Sequence, residues 1–252
     1  WNYTLMKRKI INDYQFILAL KGIDYLVTGT NYMADYYHKH FGLDRDKIKI
    51  MPNWVNLERF SHDTYDKATM KMLLGLSPKR KVVLFVHRLA QRTGAHYLVE
   101  IARSIVKVCA DVTFVIIGDG PYRSKLERKI AESQMGDAFR LLGAVPNRDI
   151  AAYYAMADVF IMPSEQEGFP RVLLEAMAMG VPFVASMPVG TLDEILTDIQ
   201  KQFVVRVGDI AGFCARVLEI LKDNSLREKL AETGWEIVRN YTRDMAVQRL
   251  LK

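Results

Sequence analysis

The stretch Lys81-Val82-Val83-Leu84-Phe85-Val86-His87-Arg88-Leu89 decides the fold, because five apolar residues follow Lys81 without a polar break and then give way to His87 and Arg88. A run that is apolar on both sides suits a strand buried on both faces. Downstream, 95–108 carries Tyr97, Leu98, Ile101, Ile105 and Val108 at helical spacing, and Val112 to Ile117 forms a second, mostly apolar run. Strand, helix and strand in that order make a βαβ unit. The alternation continues with helices over 123–134, 149–156 and 170–179, strands over 139–142, 158–162, 182–185 and 203–205, and helices to the end. The fold class read from this is α/β: a Rossmann-like parallel sheet with helices on both faces.

Working outward, residues 1–52 repeat the logic in miniature, with a helix over 3–20, a strand over 24–28, a helix over 32–41 and a strand over 48–51. Two strands are too few for a sheet of their own, so 1–52 is read as the end of an incomplete second α/β domain. Residues 53–78 form an interdomain segment, following a turn at Pro52-Asn53 and with a polar linker over 61–66, and 79–252 is the complete domain. The start at Trp1, without the small-residue cleavage pattern of a secretory leader, is expected to be the tail of a longer protein.

Composition narrows the function. At ~150 residues per domain, 252 residues allow between one and two, and 50% hydrophobic with 25% charged residues excludes disorder and collagen-like repetition. Cys109 and Cys214 form no CxxC pair, which excludes a cysteine-based zinc site and points to a reducing compartment. The longest uncharged stretch, 176–192, is interrupted by Gly180, Pro182, Pro188 and Gly190, short of the ~20 apolar residues that span a membrane. A formal charge of +6 favours anionic partners, either phosphate groups or an acidic membrane surface. The basic residues are scattered, so no nucleic acid is expected as a partner. HExxH, GxSxG and GxxxxGK[ST] motifs are absent from the sequence, and of the five histidines only His87 borders a candidate site residue.

In open α/β sheets ligands bind beyond the carboxyl ends of the strands. Three loops qualify: His87 to Gly94, Gly118-Asp119-Gly120-Pro121, and Pro163 to Pro170. Pro170 lacks an amide hydrogen and suits the first position of a helix, whose free amides attract phosphate. Glu167 and Glu175 flank that start eight positions apart, and carboxylates, as pure acceptors, suit sugar hydroxyls. Other readings stay open. Glu167 fits an acid favoured at a helix start and Glu175 a solvated helix residue, and the pair also fits the acid and base of a glycosidase. Arg88 fits a surface arginine, Gly118 and Gly120 a tight turn, Gly143 to Val145 a strand end, and Phe169 simple packing. Position 123 is Arg, so the third glycine of a dinucleotide fingerprint is missing. Ile150, Tyr153 and Tyr154 read as the core face of an amphipathic helix.

The stretch Glu167-Gly168-Phe169-Pro170-Arg171-Val172-Leu173-Leu174-Glu175-Ala176-Met177-Ala178-Met179-Gly180 resembles the Glu-x7-Glu signature of the retaining glycosyltransferases of family four. The resemblance extends through Pro52-Asn53-Trp54-Val55-Asn56, Arg59-Phe60, Arg88-Leu89, Gly118-Asp119-Gly120-Pro121, Leu142-Gly143, Ala157 to Phe160, Pro163-Ser164 and Gly208-Asp209. These enzymes use nucleotide sugars and have the GT-B architecture of two facing Rossmann-like domains, so 79–252 would be the C-terminal donor domain. The resemblance implies that Glu167 binds donor-sugar hydroxyls and Glu175 the ribose, that the amides of Phe169, Arg171 and Val172 behind Gly168 and Pro170 meet the diphosphate, and that Arg88 neutralises it. Gly118 and the backbone of Gly143 to Val145 would line the donor. The family's lysine falls on Thr93, leaving Arg92 as the nearest cation, and its Gly-Gly pair and following proline read Gly190-Thr191 and Asp193. The resemblance further implies a UDP- or GDP-sugar donor, no metal or other cofactor, and a glycan or lipid-linked acceptor. A cytoplasmic location with peripheral contact to an anionic inner membrane face is expected, together with a missing N-terminal domain or partner chain. The rival reading is a non-catalytic or partner-dependent nucleotide-sugar-binding domain.

Overall fold

The computed structural model describes residues 17–20, 22–186 and 192–251, so most of the predicted helix over 3–20, and Gly190 and Thr191, lie outside the described residues. The first unit comprises β1 (Leu26–Thr28), α1 (Asn31–Phe41) and β2 (Ile48–Ile50). Contrary to the expectation from local sequence, β1 and β2 do form a sheet, a parallel pair in register Leu26 with Ile48. Its support is tertiary: Leu20, Ala34, Tyr37, Leu43 and Ile48 make a small core of their own.

After α2 (Lys67–Leu73) come β3 (Lys81–Val86), α3 (Leu98–Val106), β4 (Val112–Ile117), α4 (Arg123–Glu132), β5 (Phe139–Gly143), α5 (Ile150–Ala155) and β6 (Val159–Met162). Then follow α6 (Arg171–Ala178), β7 (Phe183–Ser186), α7 (Asp198–Lys201), β8 (Val204–Val205), α8 (Ile210–Lys222), α9 (Asn224–Val238) and α10 (Arg243–Leu251). The large sheet has six strands in the order β5-β4-β3-β6-β7-β8, all parallel. The chain builds outward from β3 through β4 and β5, then returns to place β6 on the other side of β3. The crevice between the carboxyl ends of β3 and β6 is therefore the topological switch point, where such sheets bind ligands.

The absence of alternation in the strands has a direct cause. Val82, Leu84, Val86, Val115, Ile117 and Phe160 enter the core on one face, while Val83, Phe85, Phe114, Ile116, Val159 and Ile161 enter the core on the other. Helices cover both faces, so each side of the pleat must be apolar.

The polar stretch read as a linker is more ordered than expected. Asp66 caps α2 by accepting from the Thr69 amide at 2.7 Å. On that helix Lys71 is buried, and its Nζ lies 3.0 Å from Asp158 Oδ2 and 2.7 Å from the Arg80 carbonyl. Lys67 Nζ meets Asp158 Oδ1 at 3.0 Å, and the Val82 amide donates to Oδ2 at 2.8 Å. Asp158 directly precedes β6, so this cluster bolts the interdomain segment to the amino edge of the sheet, opposite the crevice. At the other edge the two units meet through the Glu194 carboxylate, which accepts from the amides of Asn31 (3.0 Å) and Tyr32 (2.7 Å) at the start of α1. The Val55 amide donates to the Tyr241 carbonyl at 2.9 Å, and α10 returns to pack beside β2.

Candidate functional site

The loops after β3, β4 and β6 are locked together by their backbones. Gly94 has φ +76°, and a Cβ there would stand 1.8 Å from the Pro163 carbonyl oxygen. The amides of Glu165 and Gln166 donate to the Arg92 carbonyl at 2.8 and 3.2 Å. Gly118 has φ +133°, where a Cβ would lie 1.9 Å from the His87 carbonyl oxygen, and its amide donates to the Gly143 carbonyl at 2.7 Å. Gly118 and Gly143 thus hold the floor of the crevice, and any side chain at Gly94 or Gly118 would force the loops apart.

On this frame the sequence-derived residues gather as follows. Arg88 is exposed, and its guanidinium has no ion-pair or hydrogen-bond partner among the described residues. Arg92 Nη1 stands 3.9 Å from Glu167 Oε1. Thr93 is buried, and its hydroxyl sits 2.6 Å from the Arg88 carbonyl and 2.9 Å from that of Ala90, so its side chain braces the arginine loop. Thr93, expected among the donor-binding residues, thus has its hydroxyl engaged by the backbone of its own loop. Glu167 is mostly buried, and its Oε1 lies 2.8 Å from His87 Nε2 and 3.3 Å from the Ser164 hydroxyl.

Pro170 sits one position earlier than expected: it is the N-cap, with φ −78° and ψ 103°, and α6 begins at Arg171. The first amides of a helix have no carbonyl a turn before them and so remain available to an anion. Gly168 is exposed, with open space where a Cβ would stand. The Phe169 ring packs 5.7 Å from that of Tyr241 and against Gly29, while its carbonyl accepts from Asn53 Nδ2 at 2.7 Å. Val145 is half-buried against the core beside the exposed Asn147.

Glu175 overturns the reading of a solvated helix residue: it is only 7% exposed. Burial pushes its carboxyl above the usual range, opposed by the Tyr154 hydroxyl 3.1 Å from Oε2 and by the charges of Arg171 and Arg59. A carboxylate keeps acceptor capacity beyond the one hydroxyl that meets it here, which suits it to a ligand's hydroxyl donors.

Sequence reasoning missed three contributors. Tyr154 belongs to the core face as read, but its hydroxyl also serves Glu175. Arg59, from the interdomain segment, reaches Asn147 Oδ1 at 2.7 Å and acts on Glu175. Glu165 is held by the Tyr97 hydroxyl at 2.9 Å and by His96 Nε2 at 3.3 Å, which stiffens the loop ahead of Glu167. No spacing in the sequence signals these long-range pairs. Among the described residues no group of three or more His, Cys, Asp or Glu is arranged to hold a metal ion.

A doubly wound parallel sheet whose cationic loops and helix start converge at the switch point defines the class: an α/β domain of the GT-B type. Anabaena Alr3699/HepE in complex with UDP superimposes with a TM-score of 0.83 at 19% identity, covering 98% of this chain and 68% of that one. The particular family follows from the sequence match. Residues 66–236 fit the model of the glycosyl transferases group 1, and the chain belongs to that family. It is 27% identical over 225 residues to the 2-deoxystreptamine N-acetyl-D-glucosaminyltransferase of Niallia circulans, covering 88% of this chain and 57% of that protein. It is 31% identical over 183 residues to a GDP-mannose-dependent alpha-(1-6)-phosphatidylinositol monomannoside mannosyltransferase of Mycolicibacterium smegmatis, covering 70% of this chain and 47% of that protein. The chain thus spans about half the length of these curated relatives.

Proposed function

We propose that the crevice is the donor site of a family-four retaining glycosyltransferase, which moves a sugar from UDP or GDP to a glycan or lipid-linked acceptor. Arg88, Arg92 and the amides of Phe169, Arg171 and Val172 take up the charge that develops on the departing diphosphate, a use of fixed electrostatics that needs no metal or other cofactor. Glu175 accepts from the ribose hydroxyls, Glu167 from the sugar hydroxyls, and the backbone of Gly143 to Val145 lines the base. The acceptor side comes from the remainder of an N-terminal domain or from a partner chain. Work at the cytoplasmic face of an anionic membrane fits the net charge of +6, and no helix among the described residues is long and apolar enough to cross a membrane.

The observation that carries the reading is the unpartnered Arg88 guanidinium at the same switch point as Glu167 and the open start of α6. The transferase names of the relatives support sugar transfer, and the UDP of the Anabaena structure supports the nucleotide. The test is thermal stabilisation by UDP-, GDP- and ADP-sugars, since a ligand at ~100 times its dissociation constant adds about 2.7 kcal/mol. Arg88→Ala should weaken the stabilising nucleotide about ten- to a hundredfold, the size of one charge-assisted hydrogen bond. Stabilisation by none of these sugars would reject the donor site, and unchanged affinity in the variant would remove Arg88 from it. Turnover of a radiolabelled nucleotide sugar by a chain carrying a complete N-terminal domain separates an enzyme from a non-catalytic binding domain.

A further inference from the structure

We propose that His87 is a positioning residue, one neutral imidazole that sets Glu167 and the backbone of Arg88 in register; this deepens the donor-site reading and rests on it. The Arg88 amide, which can only donate, points at His87 Nδ1 at 2.8 Å. Nδ1 is therefore bare, the ring proton sits on Nε2, and Nε2–H donates to Glu167 Oε1 at 2.8 Å. Among the described residues every hydrogen bond and ion pair of the Glu167 carboxylate falls on that same oxygen, with Ser164 at 3.3 Å and Arg92 at 3.9 Å. Its Oε2 has no hydrogen-bond partner among the described residues and is left to face a ligand.

The ring cannot easily drift from this position. Its side chain is only 16% exposed, the Phe85 ring lies beside it at 6.5 Å, and the His87 carbonyl is wedged against Gly118. One ring thus joins the group read as binding the sugar to the residue read as binding the diphosphate. A residue that only filled space would have no reason to use both nitrogens.

Two substitutions divide the two bonds. Asn at this position offers an acceptor at about the reach of Nδ1 but falls short of Glu167, and Gln offers a donor at about the reach of Nε2 but gives up the acceptor near Arg88. The measurements are histidine ¹⁵N shifts of the wild-type chain and calorimetric titrations of wild type, His87→Asn, His87→Gln and His87→Ala with UDP, UDP-glucose, GDP and GDP-mannose. The expected results are an Nε2–H tautomer at His87, and a gain from the sugar moiety that falls about ten- to a hundredfold in the Asn and Ala variants, the size of one hydrogen bond to a charged group, while Gln restores it. An Nδ1–H tautomer, or variants that weaken nucleotide and nucleotide sugar equally or not at all, would overturn the role of His87 while leaving the donor site standing. Failure of the wild type to bind any of the four ligands would instead reject the donor-site reading, and this proposal with it.

Discussion

Glu175 shows how a single buried carboxylate can be costly to the fold. Its carboxyl is raised by burial, and a carboxylate raised in the folded state adds stability that is fully present below its unfolded value and lost as pH rises through the folded one. Above its unfolded value the buried carboxyl therefore weighs against the unliganded fold. Glu175→Gln keeps the size and a partner for Tyr154, and should raise the melting temperature at pH 7 by about 2–4 °C, the response to ~1 kcal/mol at this chain length. The gain should vanish below about pH 4, where the wild-type group is protonated in both states. Calorimetric scans at the two pH values check this, and a lower melting temperature at pH 7 would contradict it. The motif made Glu175 conspicuous in the sequence, but its burial was not legible, because the Tyr154 hydroxyl that meets it lies 21 positions away. His87 was visible as a neighbour of Arg88, and its bond to Glu167 was not.

At the scale of elements, the strands were the most legible part: β3 and β4 begin and end where the apolar runs do. A strand buried on both faces is recorded in every residue it contains. The helix α2 was hidden for the opposite reason, since its identity depends on Asp66 as a cap and on Lys71 being buried, and lysine is ordinarily read as surface. Burial pushes the Asp158 carboxyl up, but Lys67, Lys71 and the Val82 amide outweigh it and hold it below its usual value. Its stabilising effect is thus present above the unfolded value of about 3.9 and is lost as pH falls through the lower folded one. Asp158→Asn would leave Lys71 buried without a counter-charge, at a cost of about 3–5 kcal/mol. Urea unfolding at pH 7 measures it, and a loss below about 1 kcal/mol, the scale of an exposed pair, would show that Lys71 escapes to solvent. At the start of α1, Glu194→Ala removes the acceptor for two amides, Asn31 and Tyr32. A loss of about 0.5–2 kcal/mol is expected by analogy with a capping residue, seen as faster hydrogen exchange at those two amides. Unchanged protection there would mean that the contact does not hold the units together.

For the whole molecule, the order of elements was legible from the sequence and the junction between the units was not. The first unit looked too small to form a sheet, yet its pair of strands is supported by α10 from the far end of the chain and by Glu194, and such contacts leave no periodic trace. The switch point, by contrast, follows from topology, so the loops expected to hold a ligand are legible from the order of strands alone. The central claim is that this crevice divides a nucleotide sugar between two acids, Glu175 for the ribose and Glu167 for the sugar. Calorimetric titration of Glu167→Gln and Glu175→Gln with a free nucleoside diphosphate and its nucleotide sugar tests it most directly. Glu175→Gln should weaken both ligands to a similar extent, because both carry the ribose, and Glu167→Gln should spare the free nucleotide and penalise the nucleotide sugar alone. Equal losses on both ligands at Glu167, or no loss at Glu175, would contradict the assignment.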